Sequence, residues 1–364
     1  MFDRVAIVGV GLIGGSLAAA LKRFALAGES VGVSSAATRQ KALELGIIDR
    51  GCGYDRLQQA VSDAELVVLC TPIFRILELV PAVSRAVAPG TIVTDAGSTK
   101  RRIMQCAASY VPENVAFIGG HPMAGSEKRG VSASDPFLFE NAIYVLTPRP
   151  GTSDQAQQRL RACCVAIGAR VLVLEPELHD AIAATVSHLP QMLAVGLVEV
   201  LSGFTGEQPA YLDLAAGGFR DMTRIASSPF TVWGDICQTN ADLIRERLDR
   251  YIAVLQQIRE RLGSEQLAEM FSAANQVRGR IPRDTKGFLR PLAEVLVVVK
   301  DRPGMIAGIA AALGDRDINI NDIEVLKVRE GEGGTIRLSL KDRSVAEEAV
   351  AVLRGAGFEA RIRE

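Results

Sequence analysis

Through the first 175 residues, short apolar runs alternate with stretches whose apolar positions recur at helical spacing. Strands are expected at Arg4–Val10, Ser30–Ser34, Leu66–Cys70, Thr91–Thr94, Ala116–Ile118, Ala142–Leu146 and Arg170–Leu174, with helical patterns such as Ser16–Phe24 and Arg39–Leu45 between several of them. Strands separated by helices predict a parallel sheet wound on both faces, here assigned to residues 1–175. From about Pro176 the strand pattern disappears. Helical periodicity takes over in His179–Leu201, Pro229–Leu262 and Ser264–Arg280, so residues 176–288 are expected to form an all-α middle domain. The charged, Pro- and Gly-punctuated segment Gly279–Arg290 reads as a linker. After Pro291 the order is strand (Leu292–Lys300), helix (Gly304–Gly314), strand (Ile318–Arg329), turn (Gly331–Gly334), strand (Thr335–Leu340), helix (Ser344–Gly355) and strand (Ala360–Arg363). That is the ferredoxin-like βαββαβ order, assigned to residues 291–364.

Composition narrows the function classes. Of 364 residues, 48% are apolar and 23% charged, which suits a packed chain of two or three domains. Lys and Arg number 41 against 42 acidic residues, so no net field draws the chain to nucleic acid or to an anionic membrane. An anionic ligand has to be met by a few placed arginines or by helix N-termini. The cysteines at 52, 70, 106, 163, 164 and 237 form no Cys-x-x-Cys pair and have no His at metal spacing, so they are read as buried thiols in a reducing cytoplasm, with no metal site. The apolar run Val5–Leu21 is studded with glycines and followed, not preceded, by Lys22 and Arg23, unlike a secretory signal. No run of 18 strongly apolar residues suggests a membrane span.

The segment Gly9-Val10-Gly11-Leu12-Ile13-Gly14 follows a strand and opens a helix. In a Rossmann-type sheet the first glycine of such a turn allows the tight bend, the second lets backbone approach a pyrophosphate, and the third lets helix pack on strand. The helix N-terminus offers unpaired N–H groups to the phosphates. A dinucleotide site is therefore expected, lined also by Cys70, Thr71 and Pro72 at the end of the third strand. An acidic residue about 20 positions on would hold the ribose of NAD. Ser34 and Ser35 stand there instead, followed by Arg39, so NADP is as open as NAD.

Only three histidines occur. Histidine exchanges protons readily near neutral pH, and two of the three lie in short polar motifs. His121 opens His-Pro-Met-Ala-Gly-Ser-Glu after one strand, and Ser98 lies in Asp-Ala-Gly-Ser-Thr-Lys after the preceding one. Both are expected at the carboxyl edge of the sheet, where the pair suits removal of a hydroxyl proton while hydride leaves the same carbon. His188 precedes Pro190, whose missing N–H is expected to kink the helix and aim the ring into a cleft. His179, in a charged helix start, reads as structural. Arg220 and Arg224 are four apart and, if helical, share a face suited to carboxylates; Trp233 follows closely.

Taken in order, GVGLIGGSLA, CTPI, TDAGSTK, GGHPMAGSE, VSHLP and GFRDMTRIASSP resemble the prephenate/arogenate dehydrogenase family of tyrosine biosynthesis, and VVVKDRPGM with DININ resembles an ACT domain, an amino-acid-sensing module. The resemblance implies that His121 accepts the hydroxyl proton, that Ser98 orients the hydroxyl and the histidine, and that His188 lies near the ring and nicotinamide. It implies further that Arg224, assisted by Arg220, binds a substrate carboxylate, with Ser126 and Glu127 at the mouth and Trp233 in the wall. Gln191 is expected to help read the keto or amino group that separates prephenate from arogenate. The resemblance also implies a homodimer built by the helical domain. Tyrosine is implied as an effector at Asp301, Gly304, Met305, Asn319 and Ile320, with ACT pairing as a route to larger assemblies. Three other readings stand beside this one. One is an arogenate or broad cyclohexadienyl dehydrogenase. Another is a β-hydroxyacid dehydrogenase, against which HPMAGSE and TRIASSP count. The third is a non-catalytic amino-acid sensor, against which the intact Ser98, His121 and Arg224 count.

Overall fold

The computed structural model of the chain describes every residue except 126–127, 207, 209, 282–291, 301, 330–332 and 364. Residues Met1–Ser272 and Ala273–Glu364 form two compact units.

The first unit is built on β1 (Phe2–Val8), β2 (Ala27–Val33), β3 (Arg50–Cys52), β4 (Leu66–Leu69), β5 (Ile92–Asp95), β6 (Ala116–Pro122), β7 (Ile143–Pro148) and β8 (Arg170–Val173). They lie in the order β3-β2-β1-β4-β5-β6-β7-β8. The neighbours pair in parallel except β6 and β7, which run antiparallel. The sheet is thus parallel through the cofactor half and mixed at its far side. Three-residue β3 is too short to register in the apolar pattern. Side chains alternate along β1: Val5 and Ile7 enter one core with Leu17, Leu21 and Leu160, while Ala6 and Val8 enter the other with Ile76, Val80 and Ile103. The sheet is therefore covered on both faces, by α1 (Leu12–Arg23) and by helices that include α2 (Ala36–Glu44), α3 (Leu57–Val61), α4 (Ile73–Ala86), α5 (Arg101–Tyr110) and α6 (Asp154–Ala166). This double coverage is why its strands read as continuous apolar runs.

Helices follow: α7 (Pro176–Ala183), a π-helical turn (Ala184–His188), α8 (Leu189–Thr205), α9 (Ala210–Asp213), α10 (Gly217–Thr223), a 3₁₀ turn (Arg224–Ser227), α11 (Phe230–Thr239), α12 (Ala241–Glu260) and α13 (Glu265–Arg280). The expected kink at Pro190 takes the form of the π turn, after which the proline sits in the first turn of α8, where a missing N–H costs nothing. The helix expected over Pro229–Leu262 is broken at Asn240 (φ −126°, ψ 23°). Contrary to the sequence reading, the helical stretch Pro176–Thr205 is long and apolar enough to cross a membrane by length and composition. Val195, Val198, Val200 and Phe204 on it are exposed in the single chain.

Two helices that begin at the carboxyl edge of the sheet lack a side-chain cap of their own and are capped from the helical region. Asp235 accepts from the N–H of Phe74 in α4 at 3.1 Å. Asp180 accepts from the N–H groups of Lys100 (2.7 Å) and Arg101 (3.0 Å) at the start of α5. Each carboxylate meets orphan donors and the positive end of a helix dipole.

In the second unit, β9 (Ala293–Val299), β10 (Asp322–Arg329), β11 (Gly333–Leu340) and β12 (Glu359–Ile362) form a sheet in the order β10-β11-β9-β12, with antiparallel neighbours. With α14 (Met305–Gly314) and α15 (Arg343–Gly355) this is the βαββαβ order read from the sequence. The second strand begins at Asp322, not Ile318, and Ile318 is still tied to the end of the preceding helix, its N–H donating to the Leu313 carbonyl at 3.0 Å. Gly304, at φ 88°, is the N-cap of α14 and adopts the left-handed conformation that glycine tolerates. Met305 is half-buried, Asn319 exposed and Ile320 packed on the core. Asp301 lies outside the described residues.

Candidate active site

The glycine turn between β1 and α1 shows why two of its glycines admit no side chain. Gly9 has φ 98°, and a Cβ on it would lie 2.7 Å from the Cys70 carbonyl oxygen. At Gly14 a Cβ would lie 2.1 Å from the Gly9 oxygen, whereas at Gly11 it would meet nothing within 4 Å. The turn is closed towards the protein at Gly9 and Gly14 and open at Gly11, the N-cap of α1, which has no side-chain cap over Leu12 and Ile13. Thr71, beside Gly9, keeps a buried hydroxyl without a hydrogen-bond partner. An open helix N-terminus with an orphan hydroxyl next to it fits a pyrophosphate-bearing cofactor. Half-buried Cys70 and exposed Pro72 complete that edge.

At the end of β2, Ser34 is buried and Ser35 caps α2 by accepting from Thr38 N at 3.4 Å. Arg39 donates through Nη1 to the Ser34 carbonyl at 2.9 Å. The hydroxyl of Ser35 is thus partly engaged by its own helix, while Arg39 keeps further donors. Arg39, Arg50, Arg56 and Asp55 all lie close enough to Cys52 to act on its thiol electrostatically, though burial is the larger effect and pushes the thiol up.

The reacting site lies where β5 and β6, neighbouring parallel strands, end. Asp95 closes β5, and its carboxylate accepts from Gly97 N at 2.7 Å and Gly120 N at 3.1 Å. Lys100, fully buried, sets its ammonium on Asp95 and on the Gly120 carbonyl at 2.6 Å. One buried ion pair thereby ties the turn that carries Ser98 to the strand that carries His121. Burial pulls the Lys100 ammonium below its usual range, against the opposing pull of Asp95.

His121 is 9% exposed. Its Nδ1 lies 2.8 Å from Nε2 of His179, and His179 Nδ1 lies 2.8 Å from Asp180 Oδ1. The sequence pattern gives His179 a structural role and does not mark Asp180; the fold brings both to His121. Adjacent His-Asp in a helix start was the available signal. Burial, with His179, Lys100 and His188 nearby, holds His121 well below the usual histidine range. His188 is buried, edge-on to Trp233 (5.8 Å between centroids, 88°), and pushed down to about 4, chiefly by burial. Asn240, at the helix break, donates to the Asp180 carbonyl at 2.9 Å and to His188 Nδ1 at 3.2 Å.

Gln191, 3% exposed, donates to the Ile225 carbonyl at 3.0 Å, so it anchors the 3₁₀ turn that begins at Arg224. Arg224 is exposed on that turn. The α-helix gives way to 3₁₀ at Arg224, and Arg220 donates through Nε to the Ala215 carbonyl at 3.0 Å. Ser126 and Glu127 lie outside the described residues. No cluster of metal-ligating side chains occurs among the described residues. The cysteines are free thiols, but only Cys163 and Cys164 are fully buried; the other four are half-buried, a correction to the sequence reading.

Comparison with known proteins gives this geometry its context. Residues 17–173 match the model of the prephenate dehydrogenase nucleotide-binding domain, 175–276 that of the prephenate dehydrogenase dimerization domain, and 293–358 that of the ACT domain. The chain is 36% identical to a prephenate dehydrogenase of Bacillus subtilis over 358 residues, 96% of each. It is 32% identical to a cyclohexadienyl dehydrogenase of Zymomonas mobilis, over 78% of this chain and 98% of that one. Among solved structures, prephenate dehydrogenase of Aquifex aeolicus in complex with hydroxyphenyl propionate and NAD+ is similar at TM-score 0.72 and 31% identity, covering 77% of this chain and 99% of that one. Arogenate dehydrogenase of Synechocystis is similar at TM-score 0.65 and 31% identity, covering 76% and 98%. The chain belongs to the prephenate dehydrogenase family.

Proposed function

We propose that this NAD(P)-dependent oxidoreductase converts prephenate to 4-hydroxyphenylpyruvate and CO2, with His121 as the base. The observation that carries the reading is a neutral, buried histidine at the carboxyl edge of the sheet, tied through Asp95 and Lys100 to the turn that bears Ser98. Gly9, Gly11 and Gly14 with the N-terminus of α1 would hold the pyrophosphate of a dinucleotide, which would supply a nicotinamide as acceptor for the hydride on the ring carbon that carries the hydroxyl. His121 takes the hydroxyl proton as that hydride leaves, and Ser98 orients the hydroxyl and the ring of His121. Loss of CO2 then makes the ring aromatic. Prephenate dianion and oxidised cofactor balance against hydroxyphenylpyruvate anion, CO2 and reduced cofactor with no net proton, so His121 hands its proton back to the same oxygen. Arg224 meets a substrate carboxylate from the turn held by Gln191, and Trp233 walls the ring beside His188. Ser126 and Glu127 are assigned to the mouth of the site by sequence alone.

The domain limits we propose are 1–175, 176–288 and 291–364, supported by the three family matches. The exposed apolar side chains of the helical region, including Val198, Phe204, Leu214 and Phe230, support a homodimer, as does the description of that region's family model, and the free cysteines fit a reducing cytoplasm. Tyrosine is proposed as effector of the ACT domain around Gly304, Met305, Asn319 and Ile320, with coupling of about 1–3 kcal/mol.

Absorbance of the reduced nicotinamide, with prephenate or arogenate crossed with NAD or NADP, tests the assignment. Prephenate is expected to turn over far above arogenate; the opposite order would make the chain an arogenate dehydrogenase, and comparable rates a cyclohexadienyl one, a reading favoured by the similarity to the Zymomonas enzyme. Preference for NADP would assign Ser34, Ser35 and Arg39 to its 2′-phosphate. Adding millimolar tyrosine to the best pairing is expected to inhibit; unchanged activity would remove the regulatory reading.

A further inference from the structure

We infer that Asp180 and His179 are positioning residues that fix which nitrogen of His121 is basic, leaving Nε2 as its lone-pair atom in the resting enzyme. Asp180 is at 0% exposure and receives the N–H groups of Lys100 and Arg101 and the Arg101 Nε at 3.3 Å. Burial alone would raise its carboxyl, but the bonds from His179 and those two backbone groups outweigh burial and hold it below the usual range. An ionised carboxylate only accepts, so His179 Nδ1 must carry a hydrogen. With that single hydrogen on the ring, His179 Nε2 is an acceptor, and the contact to His121 Nδ1 then makes His121 the donor; a second hydrogen on His179 would reverse the direction, which is what a measurement of the ring tautomers reads. With Nδ1–H committed, Nε2 is the only basic nitrogen of the ring. The chain keeps that orientation when the ring takes up a proton, because both nitrogens of the imidazolium then donate and its Nδ1 still faces an acceptor backed by the carboxylate.

The same logic assigns the opposite tautomer to His188. Arg101 Nη2 donates to Asn240 Oδ1 at 2.8 Å, and a guanidinium cannot accept, so the Asn240 amide nitrogen faces His188. His188 Nδ1 therefore accepts, and its hydrogen sits on Nε2. Two histidines hydrogenated on Nδ1 and one on Nε2 is an unusual pattern, since an unconstrained neutral imidazole prefers the hydrogen on Nε2.

The inference rests on His121 being the base, but its first test does not. Nitrogen-15 NMR of the histidine rings in the unliganded full-length protein at pH 7 reads three residues only. Two Nδ1–H tautomers and one Nε2–H, assigned by the signal lost in each single-histidine variant, are expected. An Nε2–H tautomer at His121 overturns the inference whatever reaction the enzyme performs. Kinetics give the second readout. His179→Phe removes the acceptor and is expected to lower kcat about 100-fold or more, with substrate KM and cofactor Kd changed by no more than about threefold. His179→Gln puts an amide oxygen near the lost nitrogen and is expected to recover at least about tenfold of that loss. Equal kcat for the two variants, or wild-type kcat in His179→Phe, would also overturn it. The charged and titratable groups around His121 in these comparisons are His179, Asp180, His188, Lys100 and Asp95; only the first is changed.

Discussion

Lys100 holds a charge at full burial, and its partner Asp95 is buried with it. Removing one member of such a pair strands the other's charge in a medium that solvates it poorly, at a cost of about 3–5 kcal/mol, whereas replacing both with neutral groups of similar volume is often close to neutral. Lys100→Met is therefore expected to lower unfolding free energy by about 3–5 kcal/mol, and Asp95→Asn/Lys100→Met to regain most of it. Urea unfolding of the three proteins checks this; a double variant no more stable than the single one would show that the pair matters through Gly97 and Gly120, not through charge. The sequence showed the motif Asp95–Lys100 but not this pairing. Five residues across a turn correspond to no fixed side-chain geometry, and only the folded turn brings the ammonium back onto β5 and under Gly120. The contact between His179 and His121 was hidden for a related reason: 58 residues separate them, and only the fold lays the strand bearing His121 against that helix start.

At the scale of elements, what could be read ahead was whatever repeats or recurs locally. Apolar runs marked the strands because both faces of the sheet are covered, and the glycine turn marked itself because backbone contacts at Gly9 and Gly14 exclude any side chain. The breaks were harder. Pro190 announced a disturbance but not its form, a π turn that starts at Ala184 and ends on His188. The break at Asn240 carries no proline or glycine. Its side chain bonds Asp180, His188 and Arg101, partners 60, 52 and 139 residues away, and this buried network outweighs helix continuity. Capping of α4 by Asp235 and of α5 by Asp180 was equally invisible, since a cap is sought within a few residues of the helix it serves and these come from 161 and 80 residues away. Such distant caps fix the helical region against the sheet edge at the two helices that flank the site.

Beside its buried ion pair, the first unit buries two histidines, three thiols and a tyrosine in their neutral forms, and these set the pH range over which it is stable. His188 is pushed from 6.5 to about 4 and His121 is held well below 6.5, so between these limits the unfolded chain binds protons that the folded one refuses. Stability is then fully present above about pH 6.5 and is lost as pH falls towards 4; His188 alone contributes about 3 kcal/mol to the loss. Asp180, held below 3.8, adds to the loss at still lower pH, with the same sign. On the alkaline side Cys163 is pushed up to about 12 by burial, and Cys70, Cys164 and Tyr144 are also raised, so the folded chain keeps protons that unfolded thiols release from about pH 9. Stability is present below pH 9 and lost above it. A plateau between about pH 6.5 and 9, falling on both sides, is expected in urea unfolding midpoints. A total stability of about 5–15 kcal/mol makes an acid loss of this size visible without special conditions. His188→Gln, which cannot titrate, should flatten the acid limb while leaving the alkaline limb unchanged. An acid limb equally steep in the variant would assign it to His121 and the carboxylates instead of His188.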